Sequence, residues 1–136
     1  MPGETDLGKL IGAMQPVLGE PEYVFASLDT DSSVSITELA PLGTFHEEEG
    51  LTVIVSKIHA DVSGLAYQGV FQCITLNVHS SLDAVGLTAA VSSALASQGI
   101  SANVVAAYYH DHIFVPTEKA ARALSCLHDL AKGAVF

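Results

Sequence analysis

Residues 80–116 constrain the fold of this chain more than any other stretch. Their order of apolar, polar and glycine positions predicts a loop, a helix, a strand, a hairpin and a second strand. The stretch contains no lysine or arginine, and its only carboxylates are Asp83 and Asp111. Because exposed surfaces normally carry more charge, we expect much of it to be buried or to lie at an interface.

The composition is that of a globular protein. Hydrophobic residues make up 49% of the 136 residues and charged residues 15%, so burial can offset the entropy cost of ordering the chain. The net charge of −10 would repel phosphate backbones and anionic lipids, so we expect neither a nucleic acid nor a membrane as partner. No apolar run approaches the roughly 18 residues of a membrane-spanning helix, and no secretory leader is recognisable.

Cysteine usage points to a reducing compartment. Cys73 and Cys126 have no CxxC spacing and no disulfide framework around them. We expect two buried free thiols in a cytoplasmic protein.

The N-terminal segment predicts one helix and one strand. Asp6 is a suitable cap for a helix over residues 7–14, which Pro16 and Gly19 would end. Residues 23–28 are aromatic and β-branched enough to form a strand.

The next segment predicts four short elements. A short strand lies within residues 34–42, and the acidic residues 44–50 form a helical turn. A buried strand follows over residues 51–55, and a short helix over residues 56–65. The apolar pair that would face the core from this helix is Ile58 and Val62.

The second half of the chain has the clearest pattern. Residues 71–79 alternate as a strand with one apolar face. A helix over residues 86–98 is predicted to end at Gly99, with a second face of small residues suited to another helix or subunit. Residues 102–107 and 113–115 predict strands joined by a polar hairpin at 108–112, and a last helix follows over residues 117–132. The residues that would face the sheet from the helix over 86–98 are Leu87, Val91, Ala94 and Leu95.

The turn around Gly86 is the strongest candidate for a ligand site. A glycine lets the backbone approach a ligand closely, and the free amides at a helix start can receive a carboxylate. Asp83 beside them could take an amino group, so the turn suits a zwitterion such as a free amino acid. The same residues also fit a helix start without a ligand, in which Asp83 only complements the helix dipole.

His110, Asp111 and His112 form the most conspicuous group of titratable residues. They could carry a metal or the chemistry of a small transferase or hydrolase, but further metal ligands have no fixed spacing to them. We expect no metal here and interpret the group as a hairpin turn. The chain also lacks a nucleophile elbow, a dinucleotide-binding glycine motif and a phosphate-binding loop, so we expect a non-enzyme without a cofactor.

The order of these elements, with the segments DAVGL and ASQGISANVV, resembles the ACT domain, particularly the ACT domains of aspartate kinases. It is also similar to tandem ACT-like bacterial proteins of uncharacterised function that are related to a eukaryotic cytosolic arginine sensor. The resemblance implies an α+β fold with two ferredoxin-like βαββαβ units, antiparallel sheets and helices on one face. The predicted division is residues 1–66 for a degenerate unit and 67–136 for the second.

The resemblance also implies an amino-acid site at the strand-to-helix loop, usually at an interface between two units. Its residues would be Asp83, Val85, Gly86, Leu87, Asn103 and Val104. No catalytic domain is attached, so the leading interpretation is a regulatory, ligand-sensing module, expected to be a homodimer. The alternatives are the small enzyme described above and a structural interaction domain that binds nothing.

One strand is missing from this scheme. After the last helix the pattern expects a fourth strand, and only residues 134–136 remain. We expect another segment to supply it, and the hypothesis is that residues 23–28 pair into the sheet of the second unit.

Overall fold

The computed structural model describes residues 6–78 and 86–133. Within them the chain forms short helices and strands that alternate from the N-terminus onward. Helices are α1 (Leu7–Gly12), α2 (Ile36–Leu39), α3 (Lys57–Val62), α4 (Leu87–Ser97) and α5 (Ala120–Ala131), with a 3-10 turn at Thr117–Lys119. Strands are β1 (Pro16–Leu28), β2 (Gly43–Glu47), β3 (Gly50–Ser56), β4 (Phe71–Leu76), β5 (Asn103–Ala106) and β6 (Asp111–Pro116).

The strands hydrogen-bond in the order β2-β3-β1-β4-β6-β5. The chain divides into two units. The discontinuous unit contains residues up to 20 together with residues from 72 onward, and the continuous unit contains residues 21–71. The fold is α+β with two ferredoxin-like units and an antiparallel sheet, which confirms the predicted fold class. No helix among the described residues is long and apolar enough to cross a bilayer.

The core of the discontinuous unit lies between its strands and α1, α4 and α5. Every residue predicted to face the sheet from α4 is buried in this core. Gly99 adopts the left-handed conformation with φ 71° and ends the helix as predicted. Leu10 of α1 and Met14, just after the helix, enter the same core with no exposed surface. The N-terminal helix therefore packs within the discontinuous unit.

Strand β1 serves both units. Residues 23–28 pair antiparallel with β3, from Tyr23 opposite Ser56 to Leu28 opposite Leu51. This pairing uses one edge of β1, which lies between β3 and β4 in the strand order. The hypothesis that residues 23–28 also pair into the second unit's sheet stays a prediction. The preceding residues 16–20 belong to the discontinuous unit, where the Gly19 carbonyl accepts a hydrogen bond from Gln72 Nε2 at 3.1 Å.

This grouping differs from the division into consecutive segments 1–66 and 67–136. Its physical reason is that Leu10, Met14 and Leu18 pack on the core of residues 72 onward. The N-terminal residues thus supply a helix and a strand segment to the discontinuous unit.

The continuous unit corrects three short predictions. Residues 34–42 hold α2 rather than a strand, because Ser35 Oγ accepts a hydrogen bond from the Glu38 amide at 3.3 Å and caps a helix. Residues 44–50 form a hairpin rather than a helical turn, because β2 pairs with β3 from Gly43–Ile54 to Glu47–Gly50. In α3, Ile58 and Val62 are exposed and the buried residue is Ala60.

Candidate functional site

Gly86 is the first described residue after residue 78 and forms the N-cap of α4. Its backbone is left-handed, with φ 103° and ψ −20°, and its carbonyl accepts a hydrogen bond from the Ala90 amide at 2.8 Å. No side chain of the cap residue binds the first turn, since glycine has none. Helix starts of this kind leave amide donors that can receive an anion.

The space beside Gly86 is occupied by Leu7 of α1. A Cβ atom added to Gly86 would lie 3.0 Å from Leu7 Cδ2 and 3.4 Å from Leu7 Cδ1. Glycine at this position is therefore required by the fold itself, both by its φ and by this contact. A ligand at the turn would reach the Gly86 backbone from a side that Leu7 does not cover.

Two of the predicted ligand residues point into the core. Leu87 is 3% exposed and belongs to the buried cluster of its unit. Val104 pairs with Ile113 on β6 and packs against the same cluster. Their side chains are thus packing residues, and only their backbone groups remain for a ligand.

Asn103 begins β5 and is exposed. Its Nδ2 donates to the Phe114 carbonyl at 3.3 Å, across the β5–β6 pair. Asn103 follows the C-terminal end of α4, whereas Gly86 lies at the N-terminal end. Because α4 has 11 residues, its ends are separated by about 16 Å at 1.5 Å per residue, and Gly86 and Asn103 flank opposite ends of this helix.

The other two predicted ligand residues, Asp83 and Val85, lie outside the described residues. The same holds for His79, the predicted last residue of the strand that ends in the structure at Leu76.

The His110, Asp111 and His112 group is only partly a hairpin turn. The tip is formed by Tyr108 and Tyr109, whose rings pack edge to face at 4.8 Å. Asp111 and His112 begin β6 and point to opposite sides, because side chains alternate along a strand. The three side chains therefore do not converge on one site. Among the described residues, no group of three potential metal ligands occurs.

The surroundings of Asp111 and His112 differ accordingly. Asp111 is 9% exposed, and burial raises the pKa of its carboxyl group above the usual range. His112 Nδ1 lies 3.0 Å from Thr75 Oγ1 and 4.0 Å from Cys73 Sγ on β4. Burial lowers the pKa of His112, and the nearby His110 lowers it further. The imidazole of His112 is thus held against β4 by Thr75.

The thiols are free, as predicted. Cys126 is buried, whereas Cys73 is only half-buried. Burial raises the pKa of both thiols, so neither is a ready nucleophile.

A second strand-to-helix loop, which the sequence reasoning passed over as a polar turn, lies in the continuous unit. It joins β1 to α2, and the Ser32 amide donates to the Asp29 carbonyl at 3.0 Å. Cavities of about 390 and 310 Å³ border this loop. The signal that could have found it is a strand that ends at Leu28, a polar run with two aspartates, and a capping serine at 35. The loop residues that line both cavities are Asp29 and Ser32.

Comparison with known families gives two matches that together span most of the chain. Residues 2–72 match one ACT domain family and residues 70–129 match another. A search of curated proteins finds no match.

Comparison with solved structures finds proteins of similar fold. A Vibrio cholerae protein of unknown function, described as a possible transport protein, is 46% identical over 92% of this chain and 95% of its own, with a TM-score of 0.83. An Agrobacterium tumefaciens protein is 16% identical over 85% of this chain and 87% of its own, with a TM-score of 0.69. The regulatory subunit of aspartate kinase from Thermus thermophilus is 11% identical over 87% of this chain and 98% of its own, with a TM-score of 0.60. The chain belongs to the ACT-domain family, with two ACT domains in tandem.

Proposed function

We propose that this protein is a non-catalytic, cytoplasmic module that binds a free amino acid or a similar small zwitterion and thereby regulates a partner process. The observation that carries the proposal is the left-handed Gly86 at the start of α4, within an ACT domain. The fold it shares with the aspartate kinase regulatory subunit supports a regulatory role. The free thiols fit a reducing compartment.

The chemistry of the turn suits a carboxylate. The first amides of α4 lack a side-chain acceptor from the cap residue and lie at the positive end of the helix dipole. In the proposal the ligand's carboxylate accepts hydrogen bonds from these amides, and the Asp83 carboxylate binds the ligand's amino group.

The separation of Gly86 from Asn103 argues for a homodimeric site. Strand β5 lies at the end of the strand order, and its residues Asn103–Ala106 include no charge and no proline to block pairing with another strand. Antiparallel pairing of two β5 edges would put the partner's Asn103 at the end of β5 where α4 begins. The dimer then completes a site that one copy leaves divided.

The test is a thermal titration with each of the twenty amino acids. A ligand at a hundred times its dissociation constant should stabilise the protein by about 2.7 kcal/mol. Gly86→Asp should abolish this shift, while Gly99→Asp, at the other left-handed glycine beside α4, should keep it. If no amino acid shifts the melting temperature, or if both variants respond like the unsubstituted protein, the proposal fails.

The enzyme alternative has weaker support in the structure. Asp111 and His112 point to opposite sides of β6, so they would have to act on different groups. A combined His110→Gln, Asp111→Asn and His112→Gln variant should retain the ligand-dependent shift if the Gly86 turn is the site. A structural module that binds nothing would show no shift in any variant.

A further inference from the structure

A cavity of about 330 Å³ opens on the discontinuous unit where α1 and α5 end and β1 begins. Among the described residues of the turn, neither Gly86 nor Leu87 lines it. One part of its wall is apolar and the other carries amide, imidazole and ammonium groups, an arrangement typical of small-molecule sites. The lining residues that matter here are Gln15, Pro16, Val17, Asn77, His128 and Lys132.

The cavity carries positive charge in a strongly negative protein. None of the lining residues within the described ranges 6–78 and 86–133 is acidic. His128 and Lys132 are four residues apart at the end of α5, so they lie on the same side of the helix. The nearby Asp129 lines a different cavity, with Arg122 and Cys126.

Lys132 is also available for a ligand. Lys57 is paired with Asp61, and Lys119 and Arg122 donate to carbonyl groups after α4. Among the described residues, Lys132 is exposed and its ammonium group has no ion pair.

The opposite wall is fixed by an unusual backbone. Gln15 has a positive φ of 41°, which is uncommon for a residue other than glycine. This conformation turns the chain from α1 into β1. The Gln15 backbone carbonyl accepts a hydrogen bond from the Asn77 backbone N–H at 3.4 Å. Gln15 and Asn77 are therefore neighbours in the cavity lining, which also includes the exposed Val17.

We propose that this cavity binds the carboxylate of a small organic acid, with Lys132 and His128 against the carboxylate and Val17 against its aliphatic part. The shared chemistry is a carboxylate on a short apolar body, and it fits a simple aliphatic acid or an amino acid equally. The site is additional to the turn at Gly86.

Isothermal titration of the full chain tests the proposal. The probes are acetate, butyrate and the twenty amino acids, each compared with its amide. At least one acid should bind at least about tenfold more tightly than its amide, since hydrogen bonds to charged groups are the stronger ones. Lys132→Met should remove this preference, and Lys57→Met, which loses the same charge elsewhere, should keep it. Binding of butyrate would identify simple acids as ligands, and binding of amino acids alone would identify the zwitterion.

Several outcomes would overturn the cavity site. One is that no acid binds; another is that Lys132→Met binds every acid with unchanged affinity. A ligand lost in Gly86→Asp and kept in Lys132→Met would assign binding to the turn and exclude the cavity. The reverse pattern would support the cavity while the proposed amino-acid turn fails. Circular dichroism of each variant verifies that it is folded.

Discussion

Leu7 lies against Gly86, so the first residue of α1 covers the turn that begins α4. The two residues are far apart in sequence and belong to the same unit. Leu10 and Met14 hold α1 in place, because both are fully buried in the core that also contains Leu87. The N-terminal helix therefore fixes one side of the proposed ligand turn.

The first prediction separates this contact from backbone strain. Gly86→Ala should lower the free energy of unfolding by about 1–2 kcal/mol for the left-handed backbone alone, and further for the Leu7 contact. In a Leu7→Ala background the same substitution should cost less, because the methyl group then has room. Urea unfolding of the four proteins measures the coupling. Gly99→Ala is the control, since its φ is 71° with nothing within 4 Å of the added Cβ; equal costs in both backgrounds would contradict the Leu7 contact.

The second prediction concerns the β2–β3 hairpin. Gly50 begins β3 opposite Glu47, and a Cβ there would come within 2.6 Å of the Leu28 carbonyl oxygen and 2.8 Å of Ser27 Oγ. Because a backbone atom cannot move away easily, Gly50→Ala should destabilise the protein by about 1–3 kcal/mol.

The matched control is Gly43→Ala, on the neighbouring strand. Its added Cβ would meet only Ile54 Cδ1 at 3.7 Å, an ordinary contact. The free energy of unfolding should change by about 0.5 kcal/mol or less. Similar values for the two variants would show that Gly50 has more room than its contacts indicate.

The parts of the fold that the sequence predicted are those with a strong local pattern. Helix α4 has a regular apolar stripe and a glycine stop, and its buried face was predicted residue by residue. Strand β1 has Pro16, Gly19 and Pro21, which argue against a strand locally. The structure forms it nevertheless, because pairing with β3 and the packing of the half-buried Leu18 outweigh these propensities.

The candidate site was predictable only in part for the same reason. A left-handed glycine at a helix start is a local feature, and Gly86 has that conformation. The contact with Leu7 and the separation from Asn103 depend on the packing of distant segments. The cavity near Lys132 is lined by residues from the ends of α1 and α5 and the start of β1, so no short sequence motif predicts it.

The third prediction tests the exposed face of α3. Ile58 is 74% exposed and Val62 83% exposed, although their spacing predicts a buried pair. Ile58→Ala and Val62→Ala should each change the free energy of unfolding by about 0.5 kcal/mol or less. Val55→Ala on β3, where the side chain has no exposed surface, should cost about 2 kcal/mol or more through the cavity it leaves. A large loss in either α3 variant would mean that this helix buries the predicted face.

The fourth prediction is a pH dependence carried by His112. Burial and the nearby His110 hold the pKa of His112 below its ordinary value of 6.5 in the folded protein, although Asp111 partly opposes this. The unfolded chain then binds a proton more readily, so stability falls as the pH drops from 6.5 towards the folded pKa. Asp111 acts in the opposite direction, because its pKa is raised from 3.8 and its ionisation weakens the folded state as the pH rises.

Comparing the melting temperatures of the unsubstituted protein and His112→Gln across this range isolates the histidine contribution. The variant should lose stability less steeply as the pH falls below 6.5. The variant also loses the contact with Thr75 Oγ1, 3.0 Å away. This loss should lower its melting temperature by the same amount at every pH. An NMR titration that places the folded pKa of His112 at or above 6.5 would contradict the prediction, since protonation would then stabilise the fold or leave it unchanged.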